Sequence, residues 1–508
     1  MMKTKAHIIE RTYEEPLLDI FIPSKLENIF KTMLKEDTEI PRFNDIKMNL
    51  PRPFWDGHDD VIELYYKAWE IAFGNLKKCG AGAVSNFIDA AFNEYIFLWD
   101  SAFMTLFGRY ADHIFCFQNT LNNFYCTQEE DGFIGREISK ASGKPRYHRF
   151  DPVSTGCNIF AWVEMIYYKQ FKNKERLKNI FPVILAYHRW LKMHRTWKDG
   201  SYWSCGWACG MDNQLRVSKE EYDYSFHDHR TWTDMCMQQV LSGKMLIQMK
   251  DILNIDEDIS DIELECKQLT EFINKNLWDN ETGFYYDALR NGDLDKNKSI
   301  GAYWAIIAEV ASEEQVEQLV NKLKDKTEFM TQNPIPTMPK SNPHFNEEGQ
   351  YWRGGVWAPT NYMVLKGIEI YGYNDLAFKI ASLHLESVNN VHKKTGTLWE
   401  NYCPTKDERG NPSKPNFIGW SGLSPISMLI EFVLGIKIDC ENNQILWHIN
   451  LLEEHGICNL PYMENNFITL KCEARNNLND EPKVSVTGLK DGKVIIFWNG
   501  NEKIIFDT

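Results

Sequence analysis

Helix-like segments run through most of this chain, and the connections between them alternate between short and long. Apolar residues recur at three-and-four spacing, as in Leu177, Ile180, Phe181, Ile184 and Leu191. Periodicity of this kind predicts helices near residues 60–77, 87–109, 111–126, 156–171, 176–196, 231–254, 258–277, 299–311, 313–326, 359–372, 374–390 and 421–435.

The lengths of the connections constrain the fold more than the helices do. Short joins are expected near 172–175, 255–257, 311–313 and 372–374, and long ones at 127–155, 197–230, 278–298, 327–358 and 391–420. Every second connection in a series of antiparallel helices emerges at the same end, so the long loops gather there. Loops of this length are usually functional or disordered, and their Trp, Tyr, Gly and Pro content argues against disorder. The pattern therefore predicts a mainly α fold, an α/α toroid with a pocket at one end.

The last 70 residues change character and predict a small antiparallel β-domain. Segments with alternating or β-rich composition are separated here by Asn, Gly, Asp and Pro. We expect strands at Gln444–Ile449, Phe467–Ala474, Lys483–Thr487, Lys493–Trp498 and Lys503–Asp507. We expect three parts: an N-terminal extension over 1–50, a barrel over 51–436, and the β-domain over 437–508.

Composition excludes several classes of protein. The chain has 56 Lys and Arg against 71 Asp and Glu, a net charge of −15, which argues against a nucleic-acid partner or an anionic membrane surface. No run of 18 apolar residues predicts a transmembrane helix, and the N-terminus lacks the apolar core of a signal peptide. The expected location is cytoplasmic, or periplasmic or secreted if a leader was removed. The 12 scattered Cys read as buried thiols.

The 17 Trp are the unusual feature, because many stand beside polar residues in the long loops. The segment Trp203–Asn213 combines glycines and two Trp residues with Asp212, which could otherwise simply close a turn or cap a helix. The segment Thr395–Pro404 sets Glu400 between Trp399 and Tyr402. A carboxylate among aromatic rings is partly desolvated, which raises its pKa and suits it to proton transfer near neutral pH.

Two more clusters follow the same pattern. Gln350–Pro359 places Arg353 between two Trp residues and beside two glycines, an arrangement that offers donors and flat apolar faces to a sugar, or serves as structural cation–π packing. Trp99-Asp100, expected late in a helix, and Trp420, at the start of the last helix, again pair an aromatic ring with a polar group. Paired carboxylates in an aromatic pocket are what glycoside hydrolysis uses.

Other chemistries find no motif in the sequence. It contains no phosphate-binding G-x-x-x-x-G-K-[ST] loop, no G-x-S-x-G elbow and no H-E-x-x-H pair. Lys298 occupies the glycine position of a calcium-like loop that starts at Asp293, which excludes that loop. His227-Asp228-His229 lacks a third ligand and reads as a solvated loop. No metal or organic cofactor is expected.

At these motifs the sequence resembles the trehalase-like inverting glycosidases, nearest to glycoside hydrolase family 63 and the mannosylglycerate-hydrolase type. Tyr351–Trp357 is similar to the group's Y-W-R-G-P-V-W, with Gly355 in place of Pro. Gly210–Asn213 resembles the segment that carries the general acid. Glu400–Pro404 resembles the E-x-Y-x-P segment of the general base, with Asp407 where a Gly commonly follows. Trp99-Asp100 resembles the W-D of the first sugar-binding helix.

The resemblance implies an (α/α)6 barrel and hydrolysis of an α-glucoside or α-mannoside with inversion. Asp212 would protonate the leaving oxygen and Glu400 would activate water, with their carboxyls about 6.5–9.5 Å apart. The resemblance and the aromatic clusters together predict a set of substrate-binding residues. These are Trp99, Asp100, Trp207, Asn213, Tyr351, Trp352, Arg353, Trp357, Tyr402 and Trp420. The expected partner is an oligosaccharide or small glycoside; the oligomeric state is left open.

Two other functions are compatible with the same toroid. A sugar 2-epimerase would depend on paired histidines in the pocket instead of two carboxylates. A carbohydrate-binding protein without activity would leave Asp212 and Glu400 far apart or outside one pocket. Fold analogy by itself does not choose among the three.

Overall fold

Long helices make up most of the computed structural model, which describes residues 24–80, 82–216, 224–490 and 492–506. Within these ranges the helices of eleven or more residues are α1 (Asp59–Gly74), α2 (Leu98–Gly108), α3 (Phe160–Phe171), α4 (Lys174–His194), α5 (Thr233–Leu253), α6 (Ser260–Asn276), α7 (Glu313–Lys324), α8 (Ala358–Ile370) and α9 (Asn374–Thr395). A π-helix spans Ser424–Val433.

Shorter elements fill the connections. Single helical turns and 3₁₀ segments lie at Ile29–Thr32, Phe43–Ile46, Lys47–Asn49, Arg109–Ala111, Phe117–Leu121, Asn122–Tyr125, Pro152–Ser154, Gly206–Cys209, Ile300–Tyr303, Trp304–Ile307 and Ser421–Leu423. Strands of two or three residues pair as Leu76–Lys77 with Phe87–Ile88, Tyr95–Phe97 with Glu137–Ser139, Trp278–Asp279 with Phe284–Tyr285, and Asp287–Ala288 with Leu294–Asp295.

The buried helices pack side by side around a common axis. Helix α2 contacts α3, α3 contacts α5, α5 contacts the turn Trp304–Ile307, that turn contacts α8, and α8 contacts Ser421–Leu423, which contacts α2 again. Every residue of α2 is buried, as its apolar sequence LWDSAFMTLFG requires. Helices α1, α4, α6, α7 and α9 pack outside them and carry one polar face each. The chain is therefore mainly helical.

Local sequence explains where several helices begin and turn. Ser312 and Gln315 form a reciprocal capping box at the start of α7, with acidic residues in the first turn and lysines in the last. Asn173 caps α4, and Lys172 in the left-handed conformation ends α3, so α3 and α4 form a hairpin with a two-residue join. This join is one of the short connections that the sequence predicts.

Two four-stranded sheets complete the described fold, and seven of their eight strands follow the helices in the chain. They are built from β1 (Arg52–Trp55), β2 (Ile436–Asp439), β3 (Gln444–His448), β4 (His455–Pro461), β5 (Phe467–Cys472), β6 (Val484–Thr487), β7 (Lys493–Trp498) and β8 (Asn501–Phe506). One sheet has the order β1-β4-β5-β6 and is antiparallel; the other has the order β2-β3-β7-β8. Because β3 pairs with β7 in parallel, the second sheet is mixed, where the sequence predicts an antiparallel one.

Two expectations about the N-terminal third need correction. Residues 87–109 are not one helix: strands at Phe87–Ile88 and Tyr95–Phe97 precede α2, so Trp99 and Asp100 lie in its first turn and not late in it. Strand β1, expected within the barrel, pairs with β4 and extends the C-terminal sheet. Of the proposed extension over 1–50, residues 1–23 lie outside the described residues.

Two further properties concern the whole described chain. In the described ranges, no helix is long and apolar enough to cross a membrane. All twelve cysteines lie within those ranges as free thiols, and nine of them are buried. Burial raises the pKa of most of these thiols, which makes them poor nucleophiles at neutral pH.

Candidate active site

Three long loops and the start of α2 meet at one end of the helices. Asp212 lies in the loop between α4 and α5, just after the short helix Gly206–Cys209. Gly210 ends that helix with a φ of +77°, and a Cβ on it would stand 3.1 Å from the Trp99 ring. The loop can therefore reverse direction directly against α2, and this close approach brings Asp212 to the first turn that carries Asp100.

The pKa of Asp212 is raised to about 6. Burial is the main cause, and the negative charges of Glu400 and Glu137 add to it, while the Arg136 guanidinium acts in the opposite direction. A carboxyl with this pKa holds its proton for a substantial part of the time in weakly acidic and near-neutral solution. Asp212 is thus suited to donate a proton.

Glu400 is in a different environment. It is 3% exposed, and its Oε1 accepts a hydrogen bond of 3.0 Å from the Tyr351 hydroxyl. Its Oε2 accepts one of 3.3 Å from the backbone N–H of Lys414. Burial raises the pKa of Glu400, while Tyr351 and Lys414 oppose this rise. The two donors favour the ionised form, which suits Glu400 to accept a proton.

The Tyr351 hydroxyl brings the acidic residues together in one electrostatic environment. Burial is the main cause of its raised pKa, and the negative charges of Glu400, Asp212 and Asp100 raise it further. The phenol therefore stays protonated and remains a donor to Glu400. Three carboxyls from three separate parts of the chain therefore act electrostatically on this one hydroxyl.

Trp99 and Asp100 present polar atoms that are buried without a partner. Trp99 is 7% exposed and Asp100 is 4% exposed, and neither the indole Nε1 nor Asp100 Oδ1 has a hydrogen-bond partner among the described residues. Burial, with the Glu400 charge as a further contribution, raises the pKa of Asp100 well above its usual value. Buried polar atoms of this kind call for a partner, and hydroxyl groups of a ligand would supply it.

Asn213 connects the loop of Asp212 to the loop that contains Tyr351. Its Oδ1 accepts from the backbone N–H of Trp352 at 2.8 Å, and its Nδ2 donates to the Gln350 carbonyl at 3.1 Å. Arg353 Nε donates to the Asn213 carbonyl at 2.8 Å. Asn213 and Arg353 therefore hold two loops together, in addition to any contact with substrate.

Two stacked tryptophans and a third, tilted one pack beside the backbone of Glu400. Trp352 and Trp357 are parallel, with ring centroids 3.8 Å apart and an angle of 5°, and both are fully buried. Trp420 packs on Trp357 at 5.5 Å, and its Nε1 donates to the Glu400 carbonyl at 2.8 Å. Tyr402 is also buried, and its backbone pairs with Val356 through two hydrogen bonds of 2.9 Å. These rings support the backbone that carries Glu400 and Tyr351.

Trp207 is the most exposed aromatic ring of the predicted set. It is 38% exposed, and it lies on the short helix just before Asp212. Its backbone carbonyl accepts from Arg136 Nη1 at 2.9 Å. A flat indole face open to solvent beside the acidic residues is available for a ring outside the buried part of the site.

Sequence reasoning missed three residues that act on the acidic groups. Arg136 and Glu137, which form an ion pair of 2.5 Å, affect the pKa of both Asp212 and Asp100. Lys414 donates its backbone N–H to Glu400, and its ammonium lies 4.1 Å from the centre of the Phe92 ring. No local signal in the sequence marks these residues, because the contacts of Arg136 and Lys414 depend on the fold.

The histidine segment near Asp212 is packed among aromatic rings. His227 lies 5.1 Å from Trp203 and 5.2 Å from Trp197 between ring centroids. Throughout residues 24–80, 82–216, 224–490 and 492–506, no group of three His, Cys, Asp or Glu side chains comes together as around a metal ion.

Known proteins resemble this chain in sequence and in fold. Residues 93–422, well over half of the chain, match the family described as the mannosylglycerate hydrolase MGH1-like glycoside hydrolase domain. An uncharacterised protein of Borreliella burgdorferi is 27% identical over 73% of this chain and 78% of its own length. The mannosylglycerate hydrolase of Thermus thermophilus is 25% identical over 56% of this chain and 84% of its own length.

A solved structure agrees at the level of the fold. The GH63 mannosylglycerate hydrolase from Thermus thermophilus, in complex with glucose, aligns with a TM-score of 0.58 and 23% identity over 72% of this chain and 99% of that one. The family match favours hydrolysis over the epimerase and the inactive binding protein considered above. The segments that carry Asp100, Asp212, Tyr351 and Glu400 all lie inside the matched residues, and this chain belongs to the MGH1-like glycoside hydrolase family.

Proposed function

We propose that this glycoside hydrolase is exo-acting and cleaves an α-glucoside or α-mannoside with inversion, Asp212 serving as general acid and Glu400 as general base. The observation that carries the assignment of roles is the difference in environment between the two carboxyls. Burial raises the pKa of both carboxyls, to about 6 for Asp212, and Glu400 accepts two hydrogen bonds that favour its charged form. Environments that separate two carboxyls in this way are typical of an acid and base pair.

The proposed reaction needs water between the sugar and Glu400. Glu400 takes a proton from this water as its oxygen attacks the anomeric carbon, and Asp212 gives its proton to the departing glycosidic oxygen. The bond to the aglycone breaks as the new C–O bond forms on the opposite face, so an α-linked substrate releases a β-anomer. The hydrogen bond from the Tyr351 hydroxyl favours the ionised form of Glu400 that this step needs.

The non-reducing sugar is proposed to lie against α2. The unpartnered Asp100 Oδ1 and Trp99 Nε1 suit this role, since hydroxyl groups would satisfy both atoms. Trp207, with its exposed ring, is proposed to pack against the aglycone. The buried Trp352 and Trp357 are proposed to act through the backbone that they support.

The finer description of the fold is also a proposal. The ring of contacts from α2 through α3, α5, Trp304–Ile307 and α8 to the π-helix segment supports six inner helices, and hence an (α/α)6 barrel. The proposed domain boundaries lie at residues 50 and 436, and β1, just after the first of them, pairs with β4 of the C-terminal part. Twelve free cysteines support a reducing, cytoplasmic location.

Substitution of the two acids tests the assignment directly. Asp212→Asn and Glu400→Gln each retain the shape of the side chain and remove its proton chemistry, so each should lower kcat by more than about 1,000-fold with thermal melting unchanged. The matched controls are Asp256→Asn and Glu408→Gln, two exposed acids in loops, which should leave kcat unchanged. Near-normal turnover by either site variant would exclude that residue from the chemistry.

A panel of α-linked glucosides and mannosides, followed by proton NMR from the first turnover, tests the stereochemistry and the sugar. The β-anomer should appear first and then equilibrate with the α-anomer. Initial release of the α-anomer would mean that the enzyme retains configuration, which would refute the role of Glu400 as base toward water.

A further inference from the structure

A second cavity lies at the opposite end of the inner helices from Asp212 and Glu400. Its volume is about 270 Å³, and its walls come from α3, from the middle of α5, from the C-terminal end of α8, from Arg109 just after α2, and from β2. Helix α2 begins at the acidic site and ends here, a distance of about 16 Å for its 11 residues. Lys169, Gln248 and Ile370 are exposed at the rim, so the cavity opens to solvent.

A buried ion pair forms the inner wall of this cavity. Arg109 and Glu431 are 5% and 2% exposed, and Arg109 Nη2 donates to Glu431 Oε1 at 2.7 Å. The same oxygen accepts from the Tyr110 hydroxyl at 3.1 Å, and Lys366 Nζ reaches the other carboxylate oxygen at 3.3 Å. The Tyr362 hydroxyl also donates to Glu431 Oε1, at 2.9 Å, so this wall is polar and its charges are paired.

A second carboxylate lies nearer to the mouth. Glu369 forms ion pairs with Lys366 and with Lys437 of β2, the latter at 2.6 Å. Burial would raise the pKa of Glu369, but the two lysines outweigh it and lower the pKa to about 2. Lys437 also donates to Asn374 at 2.9 Å. The carboxylate therefore stays ionised, and the β-domain supplies part of the wall.

Charges of both signs line the cavity in near balance. Its cations are Arg109, Lys169, Lys366 and Lys437, and its carboxylates are Glu309, Glu369 and Glu431. The carboxylates would repel a bound anion, and the ammonium and guanidinium groups would repel a bound cation. Lys366 donates to Glu431 and Lys437 donates to Asn374, and both ammonium groups also form ion pairs with Glu369.

The remaining walls are apolar. Trp162, Met165, Met245 and Ile307 line the cavity beside the charged groups. A flat aromatic ring and aliphatic groups opposite paired donors and acceptors form the combination that a hydroxylated ring occupies, because its C–H face is apolar and its hydroxyls both donate and accept.

From these walls we propose that this cavity is a second carbohydrate site, which binds an uncharged monosaccharide or a polyol of similar size. A volume of about 270 Å³ lies just below the range of about 300–1,000 Å³ for ligand pockets, which fits one sugar ring and excludes an oligosaccharide. The site is separate from the acidic residues and takes no part in hydrolysis.

Methionine methyl groups can report on the two sites separately. Met165 and Met245 line the cavity, whereas Met211 directly precedes Asp212. The full chain, labelled with ¹³C at its methionine methyls, would be titrated with D-glucose and with D-mannose, and the signals assigned with Met→Leu variants. The Met165 and Met245 signals should shift with a saturable isotherm of their own, distinct from that of Met211.

Ile438→Trp places a large ring in the mouth from β2, and Met245→Trp does so from α5. Each should abolish the shift at Met165 and leave the shift at Met211, while Leu264→Trp, at a 55% exposed position on α6, should leave both unchanged. The proposal would be overturned if the Met165 and Met245 signals did not shift, or if neither cavity variant changed their isotherm. Shifts of these signals with inorganic phosphate in place of the sugars would also overturn it. The test needs no turnover, so its result is independent of the proposed hydrolysis.

Discussion

Removal of the Tyr351 hydroxyl should change the pH dependence of the enzyme in one direction. In Tyr351→Phe, Glu400 loses the 3.0 Å hydrogen bond at Oε1 and keeps the one from the Lys414 backbone. A donor to a carboxylate stabilises the charged form, so its loss raises the pKa of Glu400. Glu400 must be ionised to act as base, and the acidic limb of kcat/KM should therefore move to higher pH.

The size of this shift follows from the environment of the bond. A hydrogen bond to a charged group contributes about 1.5–3 kcal/mol, and each pKa unit corresponds to about 1.4 kcal/mol. Glu400 is 3% exposed, so water replaces the lost donor only in part. The acidic limb should rise by about one unit, and by no more than about two. The assay is kcat/KM against pH on an uncharged aryl glycoside.

A matched variant separates this effect from a general loss of packing. Tyr285 donates its hydroxyl to Asn274 at 2.6 Å, in a different part of the fold, and Tyr285→Phe should leave both limbs unchanged. If the acidic limb of Tyr351→Phe stays in place or moves to lower pH while the variant remains folded, Tyr351 does not control the ionisation of Glu400. That result would refute the reasoning.

Three further predictions concern the acid, a helix cap and the buried ion pair. Because the pKa of Asp212 is about 6, kcat/KM should fall above about pH 6; Arg136→Gln should move that limb upward, and a downward shift would contradict the role of Arg136. Ser312→Ala removes the capping box of α7 and should lower the free energy of unfolding in urea by about 1 kcal/mol with kcat/KM unchanged; an unchanged midpoint would count against the cap. Arg109→Met leaves the Glu431 charge buried and should cost about 3 kcal/mol in the same assay, part of it recovered in the double variant with Glu431→Gln; equal loss in the double variant would show that charge is not the cause.

Local sequence patterns predicted the elements that are formed by residues close together in the chain. The alternation in Lys493–Trp498 and the turn at Asn499-Gly500 predict the hairpin of β7 and β8, which the structure confirms, with a positive φ at both turn residues. The parallel pairing of β3 with β7 and the addition of β1 were missed, because both join segments far apart in the chain. No local pattern encodes such pairings.

The same difference between local patterns and long-range contacts applies to the candidate active site. Aromatic residues around Glu400 indicated a desolvated carboxylate, and the raised pKa of Glu400 agrees with this. The sequence does not reveal that Arg136 acts on Asp212 and Asp100, because the hydrogen bond from Arg136 to the Trp207 carbonyl joins residues 71 positions apart. The apolar run before Trp99 read as one helix because short buried strands and buried helices share an apolar composition.

The hydrogen bonds of Asn213 have a consequence for how such enzymes diverge. They tie the loop of Asp212 to Tyr351–Trp357, and that segment pairs through Val356 with Tyr402, two residues after Glu400. We therefore expect the spacing of Asp212 and Glu400, the proposed acid and base, to be set by one short segment shared between two loops. Trp207 and Trp99 take no part in these bonds. Substitution of these two rings should therefore leave in place the segment that spaces Asp212 and Glu400.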